Sequence, residues 1–221
     1  GVKKYVHIVH AVGDIHTYKF YSFDYYDAVF CSGPGQAESL RRLEELRGTS
    51  RKDLPLLGCP YLDVYAARAE QVGVPEPRTI LVAPTWGRNG LLTRTGSLVP
   101  KLLASAGYHV ILRPHPQSFI SDREVMERVA ADLQTCKNVE WDRNPDGFSS
   151  LSRASLMVSD VSGVIFDFAF VFLRPVISVG NGPLKEGFEA WEIPHEAWEM
   201  KALDQIGRRV SAGNESVIPA V

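Results

Sequence analysis

The segment 159-SDVSGVIFDFAF-170 sets Ser159, Asp160, Ser162 and Asp167 into an otherwise apolar run. These polar groups are the first candidates for chemistry. Leu156–Ser159 reads as a buried strand, Asp160–Gly163 as a turn and Val164–Phe170 as the start of a helix. Hydroxyls and free amides at a helix start, here around Ser162 and Gly163, suit a bound phosphate. They suit simple capping of the first turn equally, and both readings stay open. Asp167 lies four residues beyond Gly163 on the same helical face. It is either a buried structural carboxylate or one that faces a substrate.

Two further turns carry similar chemistry. In 83-APTWGRNG-90 the glycines allow close approach of backbone to phosphate, Thr85 offers a hydroxyl, and Arg88 can fork onto phosphate oxygens. The alternative is a plain surface turn. In 113-RPHPQS-118, Arg113 and His115 sit among prolines that stiffen the chain, and the imidazole can serve as acid, base or phosphate ligand. Near the beginning, 7-HIVHAVGDIHTY-18 places His10 at a strand end before Gly13, whereas His7 alternates within the strand and is expected to pack. The spacing of His7, His10 and His16 matches no common ligand pattern, so no metal is expected.

Such turns need strands behind them. Apolar or β-branched runs at 4–11, 27–32, 54–58, 79–84, 108–114, 138–142, 155–160 and 175–180 alternate with helical patterns at 34–48, 97–107 and 122–134. This alternation predicts βα units, a parallel sheet and an α/β fold. Ligands of such sheets bind beyond the carboxyl ends of strands, where helix N-termini present free N–H groups. The Pro/Gly-rich stretch within 59–79 reads as a hinge. It separates a partial amino-terminal Rossmann-like domain, 1–64, from a nucleotide-binding domain, 65–221.

The 221 residues, 45% of them hydrophobic, suffice for a buried core. A net charge of -2 gives no global attraction for nucleic acid or an anionic membrane. Cys31, Cys59 and Cys136 are widely spaced, which suggests neither a disulfide framework nor a zinc site and fits a reducing, cytoplasmic setting. The apolar stretch at 164–179 is broken by Asp167, Arg174 and Pro175, too early for a membrane span. The chain opens directly on a strand pattern with neither a signal peptide nor a start methionine, as expected of part of a longer protein.

In order, a His-Ala turn at 10–11, GCPYLD, ILVAPTW, ILRPHP and SDVSGVIFDFAFVFLRPVI together resemble the CDP-glycerol glycerophosphotransferase family, which primes and polymerises teichoic acids. The resemblance implies a GT-B architecture of two Rossmann-like domains and transfer of glycerol phosphate from CDP-glycerol to a hydroxyl of a lipid-linked acceptor, releasing CMP. It further implies His10 as base, His115 as pyrophosphate partner or acid, and Thr85, Ser159, Asp160 and Ser162 lining the donor site. No cofactor and no nucleic-acid partner is expected. Work on a lipid-linked acceptor implies the inner face of the cell membrane, with any membrane contact made by parts outside these residues. A GT-B sugar transferase, a UDP-N-acetylglucosamine 2-epimerase-like enzyme and a non-catalytic nucleotide-binding lobe are the rival readings.

Overall fold

The computed structural model describes residues 1–180, 182 and 185–220. The chain divides into two compact units: Gly1–Val64 with Pro183–Ala202, and Tyr65–Gly182 with Leu203–Val221. The second unit is therefore interrupted, where the sequence pattern suggested an unbroken 65–221. No shift in composition marks the interruption.

In the first unit, β1 (Val6–Ile8) and β2 (Ala28–Phe30) pair in parallel with Val6 opposite Ala28. The strand expected at 54–58 is reduced to isolated bridges, Ala28 with Asp53 and Cys31 with Leu56. Pro55 explains the gap. Its carbonyl accepts from the Cys31 amide, but it has no N–H to return to the ladder. Helix α1 (Pro34–Arg47) starts on Pro34, where a missing amide costs nothing, and ends on Gly48 in the left-handed region. Leu40 and Leu43 face the core, while Leu46 is half out in solvent. Helix α2 (Pro60–Ala69) follows. Val9, Ile15, Phe23, Val29, Leu40 and Leu43 form the core together with Ile193, which comes from the returning stretch.

The second unit runs β3 (Thr79–Val82), α3 (Leu91–Thr95), α4 (Leu98–Ser105), β4 (His109–Leu112), α5 (Ser118–Ser121), α6 (Arg123–Leu133), β5 (Val139–Trp141), α7 (Phe148–Arg153), β6 (Leu156–Ser159), α8 (Val164–Phe172) and β7 (Val176–Val179). The chain then passes through α9 (Trp198–Ile206) to β8 (Gly207–Val210). The six strands are parallel, in the order β5-β4-β3-β6-β7-β8. All four residues of β3 and three of four in β4 are buried, as strands covered on both faces must be. After β3 the chain winds outward to β5 and then returns to the other side of β3 at β6. That reversal creates a crevice between the ends of β3 and β6, the place where doubly wound sheets bind nucleotides. No helix among the described residues is long and apolar enough to cross a membrane.

Charges are buried in the first unit. Arg47, its side chain only 7% exposed, reaches Asp24, Glu189 and Glu192 at once, and its cation offsets the cost of enclosing Glu189. Glu199 accepts the Asp14 amide at 2.8 Å, and burial pushes its carboxyl up to about 7 despite that bond. A carboxyl that keeps its proton in the native state, and loses it near pH 4.5 when unfolded, stabilises the fold most at low pH. That contribution declines as pH rises through 7, by about 3 kcal/mol at most. Urea unfolding should therefore show Glu199→Gln equal to the parent below about pH 4 and more stable at pH 8. A variant whose pH profile follows the parent throughout would refute this.

Candidate functional site

Three strand ends of the second unit build the crevice, and a single carboxylate holds two of its walls. Asp160, just past β6 and 4% exposed, accepts the Thr85 amide at Oδ1 (2.8 Å) and the Leu91 amide at Oδ2 (2.6 Å). It thereby fixes the turn after β3 and caps α3 from another strand. Burial raises its pKa, opposed by the two amide bonds. Ser159 Oγ donates to the Ala83 carbonyl at 2.6 Å, so the same turn is tied at its beginning. Asp122 accepts the Gly87 amide at 2.8 Å on the far side. The turn also needs its glycines: Gly87 has φ +84, and a Cβ at Gly90 would lie 2.7 Å from the Thr85 carbonyl oxygen.

The held turn presents Thr85, half-buried, and Trp86 and Arg88, both exposed. The Trp86 ring lies beside His115, centroids 6.2 Å apart and planes 32° from parallel. His115 accepts the Gln117 amide at Nδ1 (3.1 Å), which leaves the proton of the neutral ring on Nε2. The residue is open to solvent on one side, yet partial burial lowers its pKa below the usual imidazole value. Near pH 7 it is thus a neutral N–H donor. Arg113 turns the other way. Its guanidinium bonds Asp142 (2.6 Å) and the Asn144 carbonyl (2.8 Å), bracing the loop after β5.

At the end of β6, Ser162 is half-buried and Gly163 exposed, and Gly163 begins α8 with no side-chain cap. Asp167 is half-buried in the first turn of that helix. Sequence reading missed Arg94, which binds the carbonyls of Asn89 and Val179, each at 3.0 Å, and so joins the turn after β3 to the end of β7. A lone arginine inside a short helix gives no signal of that role. The structure thus brings Thr85, Arg88, His115, Ser162 and Gly163 to one sheet edge. Arg113, Ser159 and Asp160 are engaged in holding the turns.

In the first unit, His10 follows β1, is exposed, and lies 3.2 Å from the Tyr18 hydroxyl through Nδ1. The turn after it is held by Gln36, which is 1% exposed and donates to the carbonyls of Ala11 (3.0 Å) and Gly13 (2.6 Å). His7 packs among Tyr18, Phe23 and Tyr26. Open depressions of about 640 and 350 Å³ along Arg51–Asp53 contain none of the residues singled out by sequence.

No family model matches the chain, and no curated protein matches it. Solved structures do. A UDP-GlcNAc 2-epimerase of Methanocaldococcus jannaschii, in complex with UDP-GlcNAc and UDP, is similar at 15% identity and TM-score 0.52, over 88% of this chain and 53% of its own. A UDP-N-acetylglucosamine 2-epimerase of Rickettsia bellii is similar at 14% identity and TM-score 0.50, over 82% and 51%. The fold is GT-B-like. The wall teichoic acid polymerase TagF is also similar, at 18% identity and TM-score 0.49, over 79% of this chain and 48% of its own. The chain spans about half the length of these structures.

Removing the carboxylate in Asp160→Ala leaves two inward-facing amides without an acceptor, at a cost of about 2–4 kcal/mol. Denaturant unfolding should show that loss, and hydrogen exchange at the Thr85 and Leu91 amides should accelerate. His115→Ala, at an exposed position, should cost less than about 1 kcal/mol. Equal stability of the two variants would remove Asp160 from this role.

Proposed function

We propose that the chain carries the donor-binding part of a transferase that moves glycerol phosphate from CDP-glycerol to a hydroxyl of a lipid-linked acceptor. One observation carries the reading. The elements ILVAPTW, ILRPHP and SDVSGVIF, on which the sequence resemblance rests, fall on the ends of β3, β4 and β6 around the crevice at the sheet's reversal. In this reading the pyrophosphate takes hydrogen bonds from Thr85, from His115 Nε2–H and from the uncapped start of α8 at Ser162 and Gly163, with Arg88 adding charge. Asp160, Ser159 and Arg113 serve it by holding the turns. Asp167, one turn into α8, stays assigned to the helix start.

The acceptor oxygen attacks the β-phosphorus, the bond to the CMP oxygen breaks, and a base takes the hydroxyl proton. The role of base stays with His10 on the strength of the sequence resemblance alone. His115, neutral near pH 7, stabilises developing charge on CMP as a hydrogen-bond donor rather than by delivering a proton. Action at the inner face of the cell membrane follows from the lipid-linked acceptor, with the membrane contact assigned to parts outside these residues. A second reading, a UDP-N-acetylglucosamine 2-epimerase-like enzyme, is favoured by the fold likeness. Fold alone does not choose between them.

Calorimetric titration separates the two. CDP-glycerol should bind more tightly than UDP-N-acetylglucosamine, and His115→Ala should weaken it by about tenfold, the loss of one hydrogen bond to a charged group. His10→Ala should leave donor binding unchanged. Preference for the uridine sugar would move the protein to the second reading, and binding of neither would leave only the fold.

A further inference from the structure

We propose that Asp14, His16 and His195, all in the first unit, hold one divalent transition-metal ion of the zinc class. Two imidazoles and a carboxylate form a donor set that suits such an ion better than magnesium or calcium, which favour oxygen. One donor atom from each residue lies within 4.8 Å of the other two. Asp14 and His16 are 3% and 4% exposed, and His195 is half-buried.

The decisive feature is that these groups converge without bonding one another. Asp14 Oδ1 is engaged by the Ile15 amide at 2.7 Å, while Oδ2 faces His16 Nε2 at 3.9 Å, beyond a hydrogen bond. Ser39 Oγ lies between the two imidazoles, 3.5 Å from His16 Nε2 and 3.0 Å from His195 Nε2. Ligands at about 2.0–2.2 Å from a tetrahedral zinc ion stand roughly 3.3–3.6 Å apart, so the Asp14–His16 pair at 3.9 Å closes by a few tenths of an ångström on binding. The widest pair, no more than 4.8 Å apart, closes by at most roughly 1.5 Å. The surroundings position the ligands: Glu199 accepts the Asp14 amide, and Ser39, fully enclosed on α1, engages the His195 Nε2 that an ion would take over. Lys185 bears electrostatically on His16, a positive neighbour that works against a second cation there. The ion would join the stretch containing His195 to the turn at 14–17.

The test uses the chain without a histidine tag, stripped by a chelator and titrated with Zn²⁺, with Mg²⁺ as control and Co²⁺ for its absorption spectrum. One equivalent of Zn²⁺ should bind, Mg²⁺ should not, and Co²⁺ should give visible bands of a low-coordinate nitrogen/oxygen site. Because His16 is enclosed and its variants can fail to fold, the deciding variant is His195→Asn, checked for native circular dichroism. It should bind Zn²⁺ at least about tenfold more weakly, since even partners behind the ligands are worth that much. Absence of stoichiometric binding would overturn the proposal. So would unchanged binding in His195→Asn, or an equal loss in His10→Ala, which would mark surface chelation.

Discussion

The second unit's crevice depends on one buried carboxylate. Asp160 spans from the end of β6 to the turn after β3 and to the first amide of α3. Neutralising two orphan amides with one acceptor lets an irregular turn lie against a parallel sheet without unsatisfied groups. It also ties together the turns beyond β3 and β6, strands that pair directly in the sheet but belong to opposite halves of the winding. Arg94 extends the coupling to β7, and Asp122 extends it toward the side of β4. Exposed Trp86, Arg88 and His115 therefore stand on a frame whose polar atoms are already engaged.

The first unit solves a different problem. Its sheet is small, and its apolar cluster of Val9, Ile15, Phe23, Val29, Leu40, Leu43 and Ile193 is modest. Directional polar contacts supplement it. Arg47 gathers three carboxylates, and Gln36 takes two carbonyls of the turn after His10. Buried ion pairs contribute less to net stability than their geometry suggests, because desolvation opposes attraction. Their effect here is positional: each fixes a specific segment against α1.

Strand positions were readable because β3, β4, β6 and β7 are nearly continuous apolar runs, which only a doubly covered sheet explains. β8 was not readable. Its GRRV exposes Arg208 and Arg209 at a sheet edge, where burial imposes no pattern. The turns of interest were visible from their residue types, but not the division of labour within them. The amides that engage Asp160 lie 75 and 69 residues away, and the serine that meets His195 lies 156 residues away. Long-range partners leave no local periodicity, so nothing in the sequence around Gln36, Arg94 and Glu199 marks what they hold.

The first unit is discontinuous in sequence, with Glu189 and Ile193 completing a structure that the first 64 residues begin. Residues 70–78, largely exposed between α2 and β3, offer the obvious place for a protease to cut. A single nick there divides the polypeptide but not the unit, because the downstream piece still inserts Ile193 and Glu189 among residues of the upstream one. The nicked protein is in effect a complementing pair of fragments. It would run as two bands on a denaturing gel and as one species in native buffer.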